Sequence, residues 1–194
     1  MNTMDETRMM HGRDYSGQDL AGWWLSEKLH GCRAYWDGSL MWSRGGCIVD
    51  VPKAWKDSLP KIALDGEIWA GYGQFKAALR ATNYGRFSAE TRFMVFDADI
   101  PGAFGERYTE VRRAVAGLGF AVAVRNSVCG STQDAFAAMQ RFQLAGGEGA
   151  VARASTNAYA PGRTWEILKL KKLHRPGADH RKSAGQGGIN TLAG

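Results

Sequence analysis

The sequence is poor in cysteine, in long apolar runs and in acidic residues relative to basic ones. Cysteine occurs at Cys32, Cys47 and Cys129 alone. These are far apart, form no Cys-x-x-Cys pair and have no histidine cluster beside them, which argues against a zinc knuckle or a disulfide framework. Free thiols suit a reducing compartment. No stretch is long and apolar enough to read as a membrane-spanning helix, and residues 1–18 carry no apolar core of the secretory kind. The expectation is a soluble, cytoplasmic protein with no membrane contact. Internal repeats are absent as well.

What is present is a chain of 194 residues, 44% apolar, with 7 Trp and 8 Phe. That is enough to bury one core, so one domain, or one domain and a tail, is expected. Aromatics in this number point first to core packing and second to a stacking surface. The formal charge of +6 and a pI near 9.4 suit a polyanionic partner, because cations bound to phosphates release counterions.

Residues 1–22 read as a polar, irregular and flexible lead-in. Strands follow at 23–29, 32–36 and 40–44, the last two joined by Asp37-Gly38, a strong hairpin signal. Further strands are predicted at 62–69, 92–97, 121–125, 149–154 and 165–173, with helices at 74–81, 108–118 and 132–144. Ser131 and Asp134 are spaced as the cap of the last helix, and Gly146-Gly147 stops it. Residues 174–194 form a glycine-rich basic tail too poor in large apolar side chains for a core of its own. The ordered part, 23–173, is therefore one α+β domain in which sheets dominate.

Five short patterns can carry chemistry, and each has a bland reading. Lys28-Leu29-His30-Gly31 closes an apolar strand at a glycine turn, yet Lys-x-x-Gly alone is weak, since Lys182-Ser183-Ala184-Gly185 also fits it. In Asp65-Gly66-Glu67, strand alternation sets both carboxylates on one face, which taken alone reads as the solvated side of an edge strand. Phe93-Met94-Val95-Phe96-Asp97 taken alone is a core strand. In Glu148-Gly149-Ala150-Val151-Ala152-Arg153 a carboxylate shares a face with two small residues, which leaves room either for a ligand or for close strand packing. Lys169 and Lys171 share a face where two cations repel unless an anion joins them, or where both are merely solvated.

In this order the patterns resemble the successive nucleotidyltransferase motifs of ATP-dependent DNA ligases, over roughly residues 23–172. Arg33-Ala34-Tyr35-Trp36-Asp37-Gly38, Ser43-Arg44 and Leu64-Asp65-Gly66-Glu67 look like the small bacterial and phage type. The resemblance implies the α+β nucleotidyltransferase fold (ATP-grasp-like), antiparallel sheets flanked by helices, with ATP and Mg2+ as cofactors. It implies that Lys28 attacks the ATP α-phosphate to form lysyl-AMP, which passes to the 5′-phosphate of nicked duplex DNA before the strand is sealed. Phe96 would stack on adenine, Glu67 would contact the ribose and Glu148 would hold the metal. Glu27 belongs to the same nucleotide site, and Lys169 and Lys171 would grip the α-phosphate. Arg33 and Arg44 would meet the nucleotide or the nick phosphate, and Lys172, His174 and Arg175 would extend the nucleic-acid contact.

The residue types suit this chemistry. A lysine nucleophile must be neutral, and an ordinary pKa of about 10.4 leaves roughly one molecule in a thousand ready near pH 7.5, a handicap of about 4 kcal/mol. Neighbouring cations lower that pKa and also stabilise charge on the phosphate.

The sequence departs from the family at two points. His30 stands where DNA ligases have Asp, and Lys-x-His-Gly is typical of a group of RNA ligases, so an RNA or hybrid substrate is the alternative. An imidazole donates a hydrogen bond where a carboxylate accepts, so the local network should differ. The family also continues into an OB domain, for which the residues after Lys171 are too few. The expectation is a monomer without that domain, relying on its basic face and tail or on a partner protein. A non-sealing nucleotide- or nick-binding module and mRNA-capping guanylyl transfer are the remaining alternatives.

Overall fold

The computed structural model describes residues 8–171. Two antiparallel-dominated sheets face each other across a cleft. The strands of the first are β1 (Met10–Asp14), β2 (Trp24–Lys28), β9 (Asn126–Val128), β10 (Gly149–Arg153) and β11 (Gly162–Lys171), in the order β1-β11-β10-β2-β9. The second comprises β3 (Cys32–Trp36), β4 (Met41–Ser43), β5 (Ile48–Val49), β6 (Leu64–Trp69), β7 (Arg92–Ala98) and β8 (Ala121–Ala123), ordered β5-β4-β3-β6-β7-β8. Helices α1 (Lys53–Ser58), α2 (Phe75–Tyr84), α3 (Phe104–Ala114) and α4 (Thr132–Leu144) complete the fold. Among the described residues no helix is long and apolar enough to cross a membrane.

Each sheet is sealed by its own core. Behind the six-stranded sheet, Trp36, Leu64, Ile68, Phe93 and Val95 pack with Val111 of α3 and Trp55 of α1. Trp55 stacks on Phe120 at 4.8 Å, a contact of the offset kind that aromatic pairs favour. Behind the five-stranded sheet, Leu25, Ala150, Ala152, Leu168 and Leu170 meet Ala135, Ala138 and Met139 on one face of α4. The small residues on β10 let that helix approach closely.

Where the local chemistry is explicit, the elements fall as the sequence predicts. The Ser131 hydroxyl accepts the Asp134 amide at 3.1 Å, so α4 starts at Thr132. The Asp37-Gly38 turn does join β3 to β4, with Gly38 at φ 96 and the Asp37 carboxylate accepting the Leu40 amide at 2.7 Å. Other expectations are corrected. The lead-in is not irregular throughout, because β1 pairs in parallel with β11 and buries Met9 and Met10. The helix expected at 108–118 is shifted: it begins at Phe104, where the Glu106 carboxylate accepts the Ala103 amide at 2.9 Å, and ends at Ala114. Helix α1 and strands β5 and β9 are short elements with no periodic signal. Finally, β6 is not an edge strand: it lies between β3 and β7, and Asp65 is buried.

Candidate active site

The two sheets enclose a cleft of about 510 Å³. Strand β2 carries Ser26, Glu27 and Lys28 into its wall, and β10 and β11 add Val151, Arg153, Ile167 and Lys169. Opposite them stand Arg33 on β3, Arg44 beyond β4, Glu67 on β6 and Phe96 on β7. Long-range strand pairing thus gathers residues that are widely separated in sequence.

Lys28 ends β2 opposite Gly149, so Glu148, one residue before β10, reaches its ammonium as an ion pair. The Glu148 amide also donates to the Lys28 carbonyl at 3.3 Å. Burial pulls the Lys28 pKa below the ordinary lysine value; the Glu67 carboxylate opposes this, while Lys171 and Lys169 add to the lowering. Desolvation therefore leads, and the cations expected to do most of this work come after it. Lys169 is itself lowered by burial first. Lys171 is exposed and pairs with Asp14 at 3.3 Å.

Glu67 accepts the Gly31 amide, and burial raises its pKa. Gly31 is fixed by that approach, since a Cβ there would collide with the Ile68 carbonyl. Phe96 floors the cleft with the Arg33 and Arg153 guanidiniums 4.6 and 5.1 Å from its centroid. Arg33 donates from Nε and Nη2 to Asp65, each at 2.6 Å, and from Nη2 to the Met10 carbonyl at 2.9 Å. Its guanidinium is thus largely engaged with protein groups.

No family model matches the chain. It is 25% identical to the DNA ligase of Haemophilus influenzae over 162 residues, covering 81% of this chain and 60% of that protein. The chain therefore spans about 60% of the length of this curated relative. A Lig E DNA ligase, described as binding DNA with a minimal scaffold, superposes with a TM-score of 0.76 at 27% identity, over 84% of this chain and 68% of that one. The Chlorella virus DNA ligase-adenylate superposes at 0.73 with 16% identity, over 85% and 69% of the two chains. The fold is that of an ATP-dependent DNA ligase adenylation domain.

The cleft of this fold brings together Glu27, Lys28, Arg33, Arg44, Glu67, Phe96 and Lys169. Glu148 joins through Lys28. Lys172, His174 and Arg175 lie outside the described residues, as does the expected tail. His30 stacks on Phe75 at 4.7 Å and brings Nε2 to 3.5 Å from Glu148, so it meets the same carboxylate as Lys28. No group of three or more His, Cys, Asp and Glu side chains among the described residues forms a metal cage. A lone hard carboxylate such as Glu148 fits a magnesium ion that is otherwise held by substrate phosphates and water.

Several residues that build the site had no signal in the sequence. Tyr159, in a loop before β11, donates to Asp65 at 2.8 Å and so braces Arg33. Arg107 of α3 is fully buried on Asp97 and on the Asn157 side chain and carbonyl. These partners are distant in sequence, and no periodicity links them.

Proposed function

We propose that the protein is an ATP-dependent, DNA-ligase-type adenylyltransferase in which Lys28 is the nucleophile. The observation that carries this reading is the setting of Lys28: a half-buried amine with a lowered pKa, held by Glu148 at the wall of a cleft that also contains Glu67, Phe96 and Lys169. The neutral Lys28 amine attacks the α-phosphorus of ATP. A P–N bond forms, the bond to the bridging oxygen breaks, pyrophosphate leaves, and the amine loses its proton to solvent. An oxygen of the 5′-phosphate at a nick then displaces Lys28 and takes the AMP. The 3′-hydroxyl finally attacks that phosphate, releasing AMP and sealing the strand.

The remaining roles in this reading are as follows. Lys169, beside the nucleophile, offsets negative charge that develops on the phosphate. Phe96 supplies the flat surface for adenine, and Glu67 faces the sugar. Glu148 would hold the magnesium ion, whose chemistry when bound is to neutralise phosphate charge. Arg44 and the basic segment after Lys171 would take the nucleic-acid phosphates.

The test is labelled ATP with magnesium, followed by a chase with nicked DNA or, separately, nicked RNA. The expected result is a label on the protein that is discharged by nicked DNA into a sealed strand. A protein that takes no label overturns the reading. Discharge by RNA alone would make it an RNA ligase, and label without sealing would mean that a further domain or partner completes the reaction.

A further inference from the structure

Beside the Lys28–Glu148 pair, Glu27, which the motif order assigns to the nucleotide site, makes a contact with the protein itself. The Glu27 carboxylate is engaged with protein: the Tyr72 hydroxyl donates to Oε2 at 3.1 Å. Oε1 is buried without a hydrogen-bond partner, in the space that a Cβ on Gly147 would occupy. Burial raises the Glu27 pKa, and the Tyr72 bond opposes the rise. Tyr72 stands between β6 and α2, edge-on to Trp69 at 5.4 Å. Its ring also covers Gly146, where an added Cβ would lie 3.3 Å away. The contact therefore ties the six-stranded sheet to the turn that leads into β10 of the other.

That turn is held through its backbone, where the Gly146 amide donates to the Gln143 carbonyl at 3.1 Å and the Glu148 amide to the Lys28 carbonyl at 3.3 Å, but its two glycines have no side chains to pack it on β2. Gly146 sits at φ 101, and two consecutive glycines leave the backbone its greatest freedom. Yet Gly147 directly precedes Glu148, and Glu27 directly precedes Lys28. We infer that Tyr72 and Glu27 form a clasp that presses the Gly146-Gly147 turn against β2 and so sets Glu148 opposite the Lys28 amine. Both are positioning residues, acting on the reaction through Glu148. The catalytic consequence rests on the adenylation reading above. Two further contacts steady the far side of the turn: Gln143 donates to the Glu148 carbonyl at 3.0 Å, and the Gly147 amide donates to the Phe142 carbonyl at 2.8 Å.

Tyr72 is 45% exposed, so its hydroxyl and then its ring can be removed without opening a core. In the full chain, Tyr72→Phe should slow single-turnover formation of lysyl-AMP about 3- to 10-fold, the range expected for one lost hydrogen bond. Tyr72→Ala should slow it about 10- to 100-fold, as small misplacements of reacting groups do. Both should raise the magnesium concentration for half-maximal rate and leave the ATP concentration for half-maximal rate within about twofold. A merely structural role would not move the magnesium dependence. Wild-type rates and magnesium dependence in both variants overturn the clasp, as does slowing no greater than the loss of folded protein. Amide hydrogen exchange without ATP supplies a readout independent of chemistry. In Tyr72→Ala, residues 144–150 should exchange faster while β3 is unchanged, and unchanged exchange at 144–150 overturns the inference. If the wild-type protein forms no lysyl-AMP, the functional reading falls, and the exchange result still decides the clasp.

Discussion

The two walls of the cleft treat charge in opposite ways. On the six-stranded wall, charged groups are matched: Arg33 with Tyr159 and the buried Asp65, and the buried Arg107 with Asp97 and Asn157. On the five-stranded wall, Lys28 on β2 and Lys169 and Lys171 on β11 flank β10 from its two sides, with Glu148 the ionic partner of Lys28 and Asp14 that of Lys171. A matched wall resists movement and gives a ligand fixed surfaces. A crowded cationic wall is a poor contributor to stability but offers an amine that sheds its proton readily and a place for phosphate. Rigidity and reactivity are thus divided between the sheets.

The largest expected effect tests the reactive wall. Lys28→Ala should abolish covalent AMP labelling, and a variant that still labels would move the nucleophile elsewhere. Glu148→Gln should slow adenylation on the order of a hundredfold, read by single-turnover labelling, because it weakens both the lysine pairing and the metal ligand. The matched wall is tested by stability. Asp97→Ala leaves Arg107 buried without its carboxylate and should cost about 3–5 kcal/mol, measured by urea unfolding. Lys169→Ala should leave the unfolding midpoint nearly unchanged while slowing labelling. Equal stability losses in these two variants would erase the contrast between the walls. The smallest effect is a shift in pH dependence. Labelling requires the neutral amine, so its rate rises with pH; since burial lowers the Lys28 pKa, the rise should level off below the ordinary lysine value of about 10.4. A plateau at or above that value would contradict the desolvated setting of Lys28.

Much of this was legible in the sequence wherever a signal was local. The Ser131 cap and the Asp37-Gly38 turn gave α4 and the β3–β4 hairpin to within a residue or two. The ordered motifs named the residues that meet in the cleft. Long-range relations were not legible. Alternation places Asp65 and Glu67 on one face but says nothing of strand order, so Asp65, which is buried against Arg33 and Tyr159, reads from sequence as part of a solvated edge. Likewise β1 has little apolar character of its own, and it becomes a strand only because β11 offers it a partner. Burial of Lys28 was underrated for the same reason: desolvation depends on what folds over a residue, whereas nearby cations can be counted in the motifs.

The parallel pairing of β1 with β11 carries a practical lesson for engineering. Trimming the chain to residue 23, as the motif boundaries invite, would strip β11 of its outer neighbour along the strand that bears Lys169 and Lys171. The bared amide edge would then be open to any extended segment, including a second copy of the same molecule. A shortened version should keep Arg8 onward, and tags placed at that end will sit beside the Gly162 end of β11.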